Sequence, residues 1–439
     1  MEDYLALFMF PVLLVFLLSG YPVAFILSGT ALLFSGLGYY LDLFYIEDLG
    51  FIPSRVFGIV SNFTLLAVPL FVFMGIALEK SGVAEELLKS ISYLFRKFRA
   101  SMAIAVVVVG ALLAASTGIV GATVVTMGVL TLPTMLQSGY RKDLACGTIA
   151  ASGTLGQIIP PSIVLVLLGD MMNVDVGDLF AGAIVPGILL VALYIGYILS
   201  LSYLGGKPMK VKEDRIETMA SKDLFLALTP PLLLISLVLG TILFGMASPT
   251  EAASCGALGA VLIAVFKRKF SWQVCKSISI QAAQTSSMVF MILIGAQFFG
   301  IVFRGLGGDD LITDMISDLD LGPYWVLAAL MLILFVLGFF LDFLEICFIV
   351  IPIVMPIMSG LGFDPLWLAV LIAVNLQTSF LTPPFGFALF YLKGVAPPEV
   401  STSDIYRGIM PFVAIQMLAL LVLVLFPQLV LWLPKQIFG

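Results

Sequence analysis

The sequence predicts an all-α polytopic membrane protein made of two inverted repeats, each with five spans, one of them discontinuous, and a re-entrant hairpin. Three observations predict it. Of 439 residues, 61% are hydrophobic and only 11% charged, against about 25% charged in soluble domains. A polar phrase broken by two prolines recurs inside apolar segments, at Ala150–Ser162 (AASGTLGQIIPPS) and at Asn375–Gly386 (NLQTSFLTPPFG), its Pro-Pro pairs 223 residues apart. The basic residues, finally, fall on one side of the threading that these segments imply.

Segments of about 20 apolar residues cross a bilayer, and the chain divides on that basis into repeat 1 (1–204), a polar linker (205–223) and repeat 2 (224–439). Met1-Glu2-Asp3-Tyr4 has no basic run, so the first apolar segment, 4–20, reads as a retained span. Spans follow at 22–40 and 56–79, then a basic amphipathic stretch, Val83–Arg99. The apolar stretch 101–138 is interrupted at Ser116–Gly121 into limbs of about 15 residues, short for a crossing, and reads as a re-entrant hairpin. A discontinuous span at 142–173 and a span at 179–203 close the repeat. Repeat 2 reads the same way: spans at 224–244, 250–266 and 278–303, a hairpin at 324–358 with its tip at Phe340–Glu345, a discontinuous span at 365–394 and a last span at 405–428. Gly82 and Gly305, Pro133 and Pro356, and Gly139 and Gly362 pair at the same 223 spacing, while Gly20 with Gly245 and Gly29 with Gly256 pair at 225 and 227.

Five crossings per repeat make the halves inverted. With the N-terminus outside, every basic residue except Arg55, Arg304 and Lys435 falls in an inside loop, as the positive-inside rule requires. The outside loops are acidic, among them Asp170, Asp175, Asp178, Asp309 and Asp310. The first hairpin then enters from the cytoplasm, the second from outside, and their tips are expected to meet near the midplane. Four scattered cysteines read as small buried side chains. The absence of histidine argues against His-based metal or acid–base chemistry, and no enzyme activity is expected.

The proline breaks carry the chemistry. Proline removes an N–H donor and clashes with the preceding turn, and hydrocarbon offers the freed backbone no partner. Each break should therefore be buried in protein or line a site. The half-helix ending near Ser152–Gly156 would present unpaired carbonyls, which suit a cation; the half starting after Pro161 would present unpaired N–H groups, which suit an anion. Proline at the first helical position is favourable, and Thr382 is placed to cap the second restart. Hydroxyls and carbonyls suit Na⁺, which makes Ser116, Thr117, Ser152, Thr154, Asn375 and Thr378 the candidate ligands. The competing reading has these hydroxyls bonded back to helix carbonyls, with glycines allowing close packing.

Asp342 and Glu345 lie at the second hairpin's tip. A carboxylate at mid-membrane costs about 2.5–3.5 kcal/mol, so gating, ion attraction or substrate positioning competes with a structural clamp on the tip. An intramembrane aspartyl protease is disfavoured, since the Gly-x-Gly-Asp setting is absent. The run Ser248-Pro249-Thr250-Glu251 reads as a helix start. The stretch Val83–Arg99 reads as an interfacial helix on anionic lipid, or as an arm that couples a scaffold to a moving domain.

The phrase Gly245-Met246-Ala247-Ser248-Pro249-Thr250-Glu251-Ala252-Ala253, the hairpin phrase Gly338-Phe339-Phe340-Leu341-Asp342 and the turn Thr382-Pro383-Pro384-Phe385-Gly386 resemble the large membrane subunit of tripartite ATP-independent periplasmic (TRAP) transporters. Ser248 stands where many members have threonine, and a hydroxyl is retained. The resemblance covers nearly the whole chain. It implies the ion-transporter-superfamily fold, an elevator-type transport domain beside a scaffold, and Na⁺-coupled import of organic acid anions. It implies a separate small four-helix membrane subunit and a periplasmic substrate-binding protein, in a bacterial or archaeal cytoplasmic membrane. No cofactor beyond Na⁺ as coupling ion and no nucleic-acid partner is implied. Carried onto this sequence, the family's ion sites fall between Ser116–Gly118 and Ser152–Pro161, and between the second hairpin and Asn375–Pro383, and the family's hairpin aspartate falls on Asp342. The candidate Na⁺ residues are thus Ser116, Thr117, Gly118, Ser152, Gly153, Thr154, Gly156, Ile159, Pro161, Asn375, Thr378 and Thr382, and the candidate substrate or gating residues Asp342, Glu345, Ser162, Pro383 and Gly386. The run Asn375–Gly394 looks closest to a branch linked to 2-oxo acids and other monocarboxylates, beside C4-dicarboxylates and sugar acids. Two rivals stand: a single-component Na⁺/dicarboxylate carrier on the same fold, and a channel or structural membrane protein.

Overall fold

A computed structural model describes residues 4–98, 100–117, 120–204, 221–318, 322–384 and 386–439, without the side chains of 114–117, 204, 221, 316 and 317. The linker, apart from Ser221–Asp223, and Arg99 thus lie outside the described residues, as do Gly118 and the side chains of Ser116 and Thr117. Among the described residues there is helix and turn but no strand, and eight helices are long and apolar enough to cross a membrane.

The first half comprises α1 (Leu5–Leu17), α2 (Val23–Tyr40), α3 (Ile52–Val60), α4 (Ala67–Lys80), α5 (Val83–Leu94), α6 (Ser101–Thr117), α7 (Val120–Gln137), α8 (Lys142–Thr154), α9 (Ile163–Met172) and α10 (Val176–Leu204). The second comprises α11 (Ser221–Leu243), α12 (Pro249–Phe266), α13 (Trp272–Gly305), α14 (Gly308–Asp318), α15 (Pro323–Leu337), α16 (Phe343–Gly360), α17 (Pro365–Ser379), α18 (Phe387–Val395), α19 (Thr402–Leu425) and α20 (Gln428–Ile437). The order repeats. The hairpin α6–α7 answers α15–α16, and the broken pair α8 and α9 answers α17 and α18. The left-handed glycines recur with it: Gly20 (φ 77°) with Gly245 (65°), and Gly139 (86°) with Gly362 (82°). Left-handed backbone costs glycine no Cβ clash, so each marks the same turn.

Four details differ from expectation. Gly82 (φ 75°) before α5 corresponds to Gly307 (φ 74°) before α14, not to Gly305. The two-residue offset lies ahead of the second hairpin, where fixed spacing could not register it. The expected span 56–79 is two helices. Asn62 Oδ1 accepts the backbone N–H of Thr64 at 2.9 Å and of Leu65 at 3.4 Å, an Asx turn that stops α3. Its counterpart α13 runs unbroken through 34 residues. The hairpin arms are 17, 18, 15 and 18 residues long, mostly above the length expected. Within 83–99 the described residues are helical only to Leu94, and α5 is bent 66° from α4. Its apolar face (Val83, Ala84, Leu87, Leu88 and Ile91) is buried, against α4, α6 and α11. Protein covers the face expected to lie on lipid, and the arm reading is the one the packing fits. After α19 the chain turns at Pro427 into α20, which lies along α10.

The halves interlock. α4 packs along α12 and α2 along α13, so equivalent helices exchange partners between halves. Small residues allow the close crossings: a Cβ on Gly256 would meet Met74 Sδ at 2.5 Å, and one on Gly295 would meet the Ala24 carbonyl at 2.6 Å. Phe10 of α1 completes this unit, edge-on to Phe299 and Phe303 at 5.4 and 5.5 Å. A second unit holds the hairpins and broken helices. There α8 packs along α19, and each hairpin's second arm lies on the other half's restart helix, α7 on α18 and α16 on α9.

Candidate functional site

Both breaks lie in that second unit. α8 continues past Thr154 as a single 3₁₀ turn, Leu155–Gln157, and the chain then stays non-helical until Ile163. Pro160–Pro161 and Pro383–Pro384 are both cis. The restart is capped by Ser162, whose Oγ donates to the Gln157 carbonyl at 2.9 Å and accepts the Leu165 N–H at 3.5 Å. The prolines therefore precede the cap, and Pro161 does not occupy the first helical position. In the second half α17 ends at Ser379 and α18 starts at Phe387, with Gly386 at the N-cap. Thr382 caps nothing among the described residues. It is too far before the restart, and its Oγ1 donates back to the Thr378 carbonyl at 2.8 Å.

The candidate hydroxyls point their protons at their own helices. Ser152 Oγ donates to the Ile149 carbonyl (3.0 Å), Thr154 Oγ1 to Ala151 (2.9 Å) and Thr378 Oγ1 to Val374 (2.7 Å). Such a hydroxyl keeps its lone pairs free to accept. Asn375 Nδ2 donates to the Met331 carbonyl on α15 at 2.8 Å, which ties the broken helix to the hairpin and leaves its Oδ1 without a donor among the described residues. The glycines do serve close packing. A Cβ on Gly153 would run into Val124 of α7, and one on Gly110 of α6 would meet Ser152 Cβ at 2.6 Å. Gly338 at the second hairpin's tip is seated in the same manner against Ser379. Each hairpin thus closes on its broken helix through a glycine–serine contact.

The unpaired carbonyls lie slightly downstream of where they were expected. Among the described residues, those of Ile158, Ile159, Pro160 and Pro161 accept no hydrogen bond. The N–H groups that Pro160 and Pro161 lack would have served Gly156 and Gln157; the four carbonyls after them go unpaired because the chain leaves the helix from Ile158 to Ser162. Gln157 stands beside them, fully buried, with neither Oε1 nor Nε2 partnered among the described residues. Gly156 and Ile159 belong to this same short loop. A buried amide left unpaired costs about 1–3 kcal/mol. The first break is therefore a largely buried loop of carbonyls without donors, with one unclaimed amide. The second is better closed, since Thr378, Ser379, Phe380 and Thr382 all accept backbone N–H bonds and the Pro384 carbonyl accepts the Tyr406 hydroxyl at 3.0 Å. It too carries a fully buried amide, Gln377. That side chain faces the Tyr194 hydroxyl, which is itself bonded by Gln416 at 2.5 Å. Pro383 stands in this turn.

Asp342 and Glu345 form a capping box at the start of α16. Asp342 Oδ1 accepts the Phe343 N–H at 2.7 Å, and Glu345 Oε2 accepts the Asp342 N–H at 3.2 Å. No Lys or Arg among the described residues pairs with either. The structural clamp on the tip is what the geometry supports. Ser248 and Glu251 form the same box at the start of α12, as expected of a helix start. The two buried glutamines were passed over at the sequence level, although long amides inside apolar spans are a visible signal.

Comparison with known proteins places this arrangement. The YdaH transporter of Alcanivorax borkumensis, described as having an unusual topology, superposes with a TM-score of 0.65 over 88% of this chain and 90% of its own, at 14% identity, a likeness of fold. The C4-dicarboxylate TRAP transporter large permease protein DctM of Vibrio cholerae is 30% identical over 96% of both chains. The sialic acid TRAP transporter large permease protein SiaM of the same organism is 28% identical, over 96% of this chain and 97% of its own. Residues 10–429 match the family model described as the DctM component of the tripartite ATP-independent periplasmic transporters, and the chain belongs to that family.

Proposed function

We propose that this chain is the permease subunit of a Na⁺-coupled importer of small organic acids, acting in a bacterial or archaeal cytoplasmic membrane with its N-terminus periplasmic and residues 205–223 cytoplasmic. The observation that carries the Na⁺ reading is the first break, where four carbonyls without donors and the unpartnered Gln157 lie beside Ser152 and Thr154. An oxygen-rich, uncharged pocket suits a hard monovalent cation, and ligation there would relieve the cost of burying those oxygens. Ser116, Thr117 and Gly118 belong to the proposed ligand shell on the hairpin side. Asn375, Thr378 and the Gln377 amide form its counterpart. The organic anion would sit between the two breaks, against the capped start of α9 at Ser162 and the start of α18 at Gly386, where the positive end of each helix dipole favours a carboxylate.

Transport is proposed to be elevator-like. The unit of hairpins, broken helices, α10 and α19 slides against the interlocked unit of α2, α4, α12 and α13. A tenfold Na⁺ gradient supplies about 1.4 kcal/mol per ion, and each net charge moved inward adds about 2.3 kcal/mol per 100 mV. Two ions per monoanion then suffice for strong accumulation. A separate small four-helix membrane subunit and a periplasmic substrate-binding protein are the proposed partners. The relatives named for C4-dicarboxylate and for sialic acid both handle carboxylates, which supports that substrate class. The test is reconstitution in vesicles with small subunit and binding protein. Uptake is expected only with an inward Na⁺ gradient and all three components. Uptake by this chain alone would favour the single-component carrier, and currents that ignore the gradient would favour a channel.

A further inference from the structure

Arg55 is one of three basic residues that the charge pattern leaves on the outer face, and the breaks make no use of it. It lines a cavity of about 440 Å³ between α3, α13 and the end of α9. That volume lies within the roughly 300–1,000 Å³ range of small-molecule sites. The walls carry an uneven set of polar groups. Arg55, Ser54 and Gln297 have no hydrogen-bond or ionic partner among the described residues, so a guanidinium, a hydroxyl and an amide stand free at one cavity. Asn62 donates through Nδ2 to Asp170 Oδ1 at 2.7 Å, which joins the α3–α4 turn to α9 and takes one oxygen of the one carboxylate lining the cavity. The strongest donor left there is a fork built to receive a carboxylate in two parallel bonds.

We propose that this cavity is an outer binding site for a small carboxylate anion, anchored by Arg55 with Ser54 and Gln297 and situated ahead of the central site. It rests on the organic-acid reading above, which it extends by a second, outward site. Asp170 limits it to weak binding, because its charge opposes that of the ligand. Weak binding suits a station from which the anion must move on. The ligand would lie between α3 and α13 on one side and α9 on the other, across the join of the two packed units, and would compete with Asp170 for the Asn62 amide.

The test is protection of Arg55 from phenylglyoxal in the full chain in detergent without Na⁺, read by mass spectrometry of the Arg55 peptide. Succinate, pyruvate and gluconate serve as probes; sodium-free chloride at equal ionic strength and the neutral diamide succinamide serve as controls. At least one carboxylate is expected to slow modification about threefold or more, with no effect of the controls and with protection reduced in Gln297→Ala. No protection by any carboxylate, or equal protection by chloride, overturns the proposal. So does protection conferred only by an added acidic protein partner. The measurement needs neither gradient nor partner subunits. A failure of Na⁺-driven uptake would therefore count against the function proposed above and not against this site.

Discussion

Gln157 is a side chain whose surroundings conflict with its chemistry, an amide fully buried with no partner for either end among the described residues. If it exists to hold an ion or a water, then Gln157→Leu removes an unmet polar group at little cost in packing. Stability in detergent should hold or rise, since the lost penalty is about 1–3 kcal/mol, while uptake falls by about tenfold or more. Wild-type uptake in that variant, read beside its melting temperature, would remove Gln157 from the site. Asp342 is the N-cap of α16, and substitutions there separate capping from the gating or substrate role. As an N-cap it is replaceable by asparagine, which caps equally well, whereas Asp342→Ala should cost about 0.5–2 kcal/mol at the start of α16. The expected order of uptake is wild type, then Asn close behind, then Ala well below. Asn and Ala equally inactive would show that the charge, not the cap, is required.

At the scale of elements, close crossings decide more than propensity does. A Cβ on Gly408 would overlap the Asp143 carbonyl, and one on Gly147 would overlap the Gly408 carbonyl, so α8 and α19 touch backbone to backbone. Gly408→Ala is expected to destabilise by about 1–3 kcal/mol, as overpacking does, visible as a lower melting temperature. Gly196, in the middle of α10 with open space around it, is the matched control. Gly196→Ala should be neutral or stabilise by up to about 1 kcal/mol, because glycine is the poorer helix former. Equal effects at the two positions would mean that the α8–α19 contact is not as tight as described. The spans, hairpins and breaks were legible from apolar length and from proline. The Asx turn at Asn62 was not, because one asparagine competes with the helix only when its side chain turns back on the chain.

At the scale of the whole molecule, the two packed units meet through few polar contacts. Thr126 Oγ1 of α7 donates to Glu79 Oε1 of α4 at 2.9 Å. Lys267 at the end of α12 pairs with Glu86 of α5, and the pair joins the arm to the other half. A unit that slides must break the first contact in each cycle. Glu79→Cys with Thr126→Cys, in a background without the four native cysteines, should lose uptake when bridged by a short bis-thiol reagent and regain it on reduction. Full uptake in the bridged protein would sink the sliding mechanism. Glu79→Gln keeps an acceptor for Thr126 and is expected to transport normally, so a defect there would point to the charge instead.

The sequence by itself determined the class of protein, the order of its elements and the position of both breaks. These follow from hydropathy, charge sidedness and proline chemistry, which act within one stretch of chain. Tertiary structure alone decided the register of the early repeat (Gly82 with Gly307), the burial of α5 against protein, the exchange of partners between α2, α4, α12 and α13, and the direction in which each hydroxyl points. Those depend on contacts between segments hundreds of residues apart and on rotamers that choose among nearby acceptors, and neither is written in any local run of residues. The acceptor-rich loop at Ile158–Pro161 lies across that divide, because the prolines end the helix by covalent structure while only packing kept other donors away.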